Sequence, residues 1–320
     1  MRDLNQGMSS LNKPSQRTSA ALVVFLLLIL LPVSAQDPVD PVITFGVISD
    51  CQFATAMPDG ERFYSRSRQK LAKAIDHFNR RGVRFVIHLG DLIDRRRESY
   101  DLILPVFMKS AAPVHFVLGN HDFDVDAADK LRVMERLGVG CGYRAFTEGD
   151  WTFVLLNGNE LAFNFPGDES LRREAAELYG RLASAKRPNA TKWNGGLSVR
   201  QMEFLEAELE LAEAAGRRVI VCCHFPVYPP AAHNLWNDEA VVTLLERHRA
   251  VKAYFSGHNH AGDYALKQGL HFLTFRGMVE TGDTSAGAVV SLAGDRIVID
   301  GFGREPRRVL AVRETAAGAR

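Results

Sequence analysis

The chain has 320 residues, is 46% hydrophobic, and sets 39 Lys and Arg against 38 Asp and Glu. That balance leaves no broad basic field of the kind that binds nucleic acid through its phosphates, so nucleic acid is set aside as a partner. The four cysteines, Cys51, Cys141, Cys222 and Cys223, are not spaced as a disulfide framework, and the adjacent Cys222 and Cys223 read as buried free thiols in an apolar run.

Taken from the start, Met1–Ala35 reads as a signal peptide. Arg2, Lys13 and Arg17 form a basic opening, residues 20–31 are unbroken apolar sequence, and Val33-Ser34-Ala35 supplies the small residues of a cleavage site. The run is shorter than the roughly 20 residues a spanning helix needs, so cleavage after Ala35 and an exported, periplasmic or secreted protein are expected; an uncleaved signal anchor is the lesser alternative. Residues 36–320 are then expected to form one α/β domain, because no Pro- or Ser-rich linker and no internal repeat divides them. Asn189-Ala190-Thr191 is a glycosylation sequon for an exported chain.

Val42–Ser49 is the first predicted strand, and Asp50-Cys51-Gln52 follows it. Residues i and i+2 of an extended segment face the same way, so Asp50 and Gln52 can offer oxygen to one ion; alone, the triplet is better explained as a loop aspartate beside a polar neighbour. A helix is predicted over Tyr64–Arg81 and a strand over Arg84–Leu89, which ends in Gly90-Asp91. A carboxylate just after a glycine is free to bridge two cations, whereas Asp94 reads as a loop or cap residue. Strand Val114–Leu118 leads into Gly119-Asn120-His121-Asp122. This run joins a neutral carbonyl ligand to a histidine that handles protons, with a carboxylate that either orients the histidine or caps the helix at Ala127–Leu137.

Strand Trp151–Asn157 and helix Ser198–Ala214, with a capping serine, precede strand Val219–Cys223, after which comes His224. Helix Asp238–His248 and strand Val251–Ser256 lead to Gly257-His258-Asn259-His260, whose two imidazoles at i and i+2 suit two neighbouring ions. Further strands lie within Tyr264–Phe275 and Ala288–Asp300. His88 and His115, inside strands, read as structural, and Arg95-Arg96-Arg97 as a solvated face. Each motif alone has an ordinary structural explanation. In order, however, Asp50, Asp91, Asn120, His224 and His258 all follow strands, and ligand sites in open α/β sheets lie beyond the carboxyl ends of strands. Imidazole and carboxylate together suit first-row divalent metals.

The ordered motifs Asp-x-Gln, Gly-Asp, Gly-Asn-His-Asp, His and Gly-His-x-His resemble those of the calcineurin-like metallophosphoesterase superfamily. The resemblance implies an α/β four-layer sandwich, two β-sheets flanked by α-helices, with two divalent metal ions. It places Asp50, Gln52, Asp91 and His260 on one ion and Asp91, Asn120, His224 and His258 on the other, Asp91 bridging. It also implies phosphoester hydrolysis by a hydroxide held between the ions, with His121 protonating the leaving oxygen. Gln52 stands where the superfamily usually has histidine. An amide oxygen is a harder ligand than imidazole, which moves the expectation from zinc to manganese, with iron admissible at one position.

The resemblance narrows to the manganese-dependent ADP-ribose/CDP-alcohol diphosphatases through Asp50–Ala54, Arg62-Phe63-Tyr64, Asn194–Ser198 with Gln201, His224–Val227, Trp236-Asn237, Gly277–Thr281 and Gly301–Arg304. It implies cleavage of a diphosphate bond in ADP-ribose or a CDP-alcohol, releasing a nucleoside monophosphate. Phe53 is the candidate surface for stacking a base, and Asn194, Trp236 and Arg304 are further candidate substrate contacts. Two features depart from that branch: Asp122 replaces its more typical glutamate, and a signal precedes the domain. A broad-specificity exported phosphodiesterase or phosphomonoesterase is the alternative among enzymes. Outside enzymes, the alternative is a metal- and nucleotide-binding protein without turnover.

Overall fold

Period-two alternation in the apolar runs becomes two stacked sheets in the structure, a computed structural model that describes residues 42–312. The expected signal at Met1–Ala35 lies outside the described residues. The strands are β1 (Ile43–Ile48), β2 (Phe85–His88), β3 (Val114–Phe116), β4 (Arg144–Glu148), β5 (Trp151–Leu155), β6 (Arg218–Cys222), β7 (Val251–Ser256), β8 (Asp263–Lys267), β9 (Leu270–Thr274), β10 (Ala286–Ala293), β11 (Arg296–Gly303) and β12 (Arg308–Ala311). The helices are α1 (Ser67–Arg81), α2 (Glu98–Phe107), α3 (Ala127–Leu137), α4 (Glu169–Ser184), α5 (Val199–Ala214) and α6 (Asp238–Arg247).

The first sheet has the order β12-β11-β10-β1-β2-β3 and the second β4-β5-β6-β7-β9-β8. Within them β1, β2 and β3 run parallel, as do β5, β6, β7 and β9. Phe45, Val47, Phe85 and Ile87 from the first sheet meet Phe153, Leu155, Ile220 and Phe255 from the second in a core between the sheets. The intervening residues point outward. Val86 joins Leu71, Phe78, Tyr100 and Ile103 under α1 and α2, while Val219 and Val221 join Leu205, Leu209, Val241 and Leu245 under α5 and α6. The result is helix, sheet, sheet, helix, the expected four-layer α/β sandwich. Cys222 faces the core between the sheets and its neighbour Cys223 the helical layer, so they cannot pair; all four cysteines are free.

The predicted helix at 127–137 and the strand at 251–256 match residue for residue, and Ser198 caps α5 by accepting from Gln201 N. Four elements escape the periodicity. In α4 Ala175 is the buried residue, and in α2 Pro105 interrupts the pattern; β4 and β12 are short, with few buried residues between them. Among the described residues no helix is long and apolar enough to cross a membrane.

Candidate metal centre

The five strand ends picked out by sequence are those of β1, β2, β3, β6 and β7, and their following residues meet. His224 Nε2 lies 3.2 Å from Asp91 Oδ2, 3.2 Å from Asn120 Oδ1 and 3.1 Å from His258 Nδ1. His260 Nε2 is 3.4 Å from Asp50 Oδ1, and Gln52 Nε2 donates to Asp91 Oδ2 at 3.2 Å. All seven residues named from sequence are therefore drawn into one cluster. Its oxygen donors follow strands of the first sheet and its imidazoles follow strands of the second.

The turns that carry these side chains are strained. Asp50 (φ 51°), Gln52 (φ 40°), Asp91 (φ 57°) and His258 (φ 67°) all hold the left-handed conformation that favours glycine. Each such residue costs on the order of 1–3 kcal/mol and persists only where its surroundings over-determine it. Here the backbone does so: Asp50 N donates to Gly90 O, Gln52 N to Asp91 O, Gly257 N to His224 O, and Val279 N to Asp50 O. Gly119 is needed for a different reason, since a Cβ there would stand 2.1 Å from Asp91 Oδ1.

Each of the three histidines is tied by one ring nitrogen and turns the other toward the cluster. His224 Nδ1 donates to Leu89 O at 2.8 Å, His258 Nε2 to Asn194 Oδ1 at 3.0 Å, and His260 Nδ1 to Glu280 Oε1 at 2.7 Å. Such outer partners select the tautomer and aim the remaining lone pair. Gln52 Oε1 is buried with no hydrogen-bond partner, an amide oxygen of the kind a hard cation would satisfy. This donor set fits divalent metal ions.

The electrostatics agree with that fit. Burial works against a charge on Asp91, but His224 and His121 beside it hold its carboxyl far below the ordinary range. Asp50 is likewise held low by His260 despite its burial. His224 is driven up to about 9, Asp91 and Asp50 outweighing its desolvation, whereas burial and the neighbouring His224 keep His258 neutral. The carboxylates that draw a proton to this cluster also draw a metal ion.

Asp122 does neither of the jobs expected of it. It accepts from the backbone amides of Asp91 (3.1 Å), Leu92 (2.9 Å) and Gly119 (2.8 Å), so it pins two ligand loops together, and Asp126 occupies the N-terminal cap position of α3. His121 is partnered instead by Asp124, with Nδ1 2.7 Å from Oδ2. Although burial disfavours its charge, Asp91, Asp124 and Asp94 raise it to about 9.

The candidate substrate contacts need correction. Phe53 is buried in the core beneath α1 and α2 and presents no ring face to a base. Trp236 is also buried; its Nε1 donates to Thr191 O at 3.0 Å, and its ring packs on Phe163 and Tyr179. Asn194 is fully buried and holds His258, so it positions the centre; Arg304 is half-buried and donates to Gly277 O and His260 O. Asn189 is buried too, with Nδ2 donating to Leu235 O at 2.6 Å, so the sequon is closed in the folded chain. A crevice of about 800 Å³ opens over the cluster, lined by Arg62, Lys192, Trp193, His233 and Phe163 beside the ligands. Arg62 and Glu280 stand inside matched motifs, but Trp193, His233 and Asp124 carry no motif that marks them.

A model of the Calcineurin-like phosphoesterase family matches residues 43–262. A manganese-dependent ADP-ribose/CDP-alcohol diphosphatase from Danio rerio is 32% identical over 312 residues, covering 83% of this chain and 97% of that protein. The Mus musculus protein of the same name is 26% identical, over 88% of this chain and 96% of its own. Among solved structures, a dimetal phosphatase from Danio rerio superposes with a TM-score of 0.78 at 29% identity, covering 86% of this chain and 100% of that one. The family match runs from β1 through the Gly257–His260 loop, over the strand ends that build the cluster; the chain belongs to the calcineurin-like phosphoesterase family and is a hydrolase of its dimetal type.

Proposed function

We propose that this enzyme cleaves the diphosphate bond of a nucleoside diphosphate ester, such as ADP-ribose or a CDP-alcohol, with manganese as its metal and a nucleoside monophosphate as product. The observation that carries the reading is Gln52: a buried amide oxygen without a partner replaces an imidazole in the ligand set, which favours a harder ion than zinc. The names of the Danio rerio and Mus musculus relatives support it. Asp50, Gln52, Asp91 and His260 would hold one ion and Asp91, Asn120, His224 and His258 the other. When bound, two such ions polarise phosphoryl oxygens and make water nucleophilic at neutral pH.

The protein's own part is positioning. Asp122 and Gly119 fix the position of Asp91, the residue that would serve both ions. Asp124 stands beside Nδ1 of His121 as its ion-pair partner, and the imidazole so charged would deliver a proton to the leaving phosphate oxygen. Purified protein with manganese is expected to release AMP from ADP-ribose and CMP from CDP-choline, and Asp91→Ala to reduce both to background. Turnover of simple phosphodiesters alone would remove the diphosphatase reading and leave the phosphoesterase. The composition of Met1–Ala35 supports action after export; a mature protein beginning at Gln36 is expected, and one that keeps Met1 would overturn this.

A further inference from the structure

The crevice over the metal centre carries recognition chemistry that the ligand set does not use. Trp151 and Trp236 are each 1% exposed, but Trp193 is 44% exposed and lines the crevice. A large aromatic left open on a concave wall is the kind of surface that a planar ligand covers. The indole leans on two imidazoles, with ring centres 5.0 Å from His233 and 5.2 Å from His258. Its neighbour Asn194 fastens the segment, donating to Asn189 O at 3.1 Å and to Ala232 O at 2.7 Å while it accepts from His258. The ring is thus set before a ligand arrives, and stacking on it costs little ordering. Arg62 and Lys192 line the same crevice.

We propose that Trp193 is the platform on which the nucleobase of the substrate stacks, with Arg62 and Lys192 taking the phosphate that the metal centre does not hold. This rests on the diphosphatase reading and adds to it the means by which substrates with a base are told from those without. Base stacking on an aromatic side chain corresponds to roughly 10- to 100-fold in binding.

The test uses the manganese-loaded enzyme and the ratio of kcat/KM for ADP-ribose to that for inorganic pyrophosphate. Trp193→Ala is expected to lower this ratio by roughly 10- to 100-fold and Trp193→Phe by less than about threefold, with manganese content unchanged in both. AMP is expected to quench the tryptophan fluorescence of the native protein but not of Trp193→Phe, whose two remaining tryptophans are buried. An unchanged ratio in Trp193→Ala, or an equal loss on both substrates, would overturn the platform and leave Trp193 as a prop for His258. If the native enzyme hydrolyses no ADP-ribose, the diphosphatase reading falls, and AMP quenching alone then decides: present, it keeps the platform; absent, it removes it.

Discussion

As a proposed ligand, Gln52 would set the character of the metal centre through one atom type. Its amide nitrogen is committed to Asp91, so the oxygen is the group it has to offer, and an imidazole in its place would offer a softer nitrogen. Gln52→His is therefore expected to raise the ratio of zinc- to manganese-supported kcat/KM about tenfold, measured on metal-stripped protein reloaded with each ion; an unmoved ratio would sink the assignment. At this scale the residues of the cluster were legible, because residue type, order and strand-end position all survive in one dimension. The substrate contacts were not. Phe53 and Trp236 stand within matched motifs yet are buried, whereas Trp193, one residue before such a motif, is open. Which ring of a loop faces outward is decided by what packs beneath it, and no periodicity records that.

Among the elements, the loop after β9 does more than its sequence suggests. Lys70 of α1, 2% exposed, donates to the carbonyls of Met278, Glu280 (3.1 Å) and Thr281 (2.9 Å). That grip holds in place the loop whose Glu280 orients His260. Lys70→Met is expected to lower manganese affinity about tenfold by loosening this outer partner, and to cost about 2–3 kcal/mol of stability by leaving one buried and two part-buried carbonyls without this donor. Metal titration beside denaturant unfolding checks it, and full affinity in the variant would show that the grip is irrelevant to the centre. The sheets and most helices were readable from alternation and three- to four-residue spacing. The helix α4 was not, because its contacts run through half-buried Leu171, Leu178, Tyr179 and Leu182 against Leu161 and Trp236, a small satellite of the core.

For the whole molecule, the buried histidines tie stability to acidity. His88 on β2 is fully buried against Phe107 and Phe116, and burial lowers its pKa to about 4. The unfolded chain takes up this proton near the ordinary value of about 6.5, while the folded chain refuses it until about pH 4. Stability is therefore lost as pH falls through that window, by an amount on the order of 2–3 kcal/mol from this residue. Unfolding of metal-free protein between pH 7 and 4.5 is expected to show a shallower decline in His88→Gln than in the native chain; parallel declines would refute it.

The division of donors between the sheets makes the centre a checkpoint on assembly. Asp50, Gln52, Asp91 and Asn120 arrive with one half of the sandwich and His224, His258 and His260 with the other. A chain with only the first half formed offers oxygen alone, a site for hard ions such as magnesium or calcium; the second half offers nitrogen alone. The mixed set suited to manganese exists only where the two sheets are docked, so metal selectivity here is a property of the tertiary structure and of neither sheet alone.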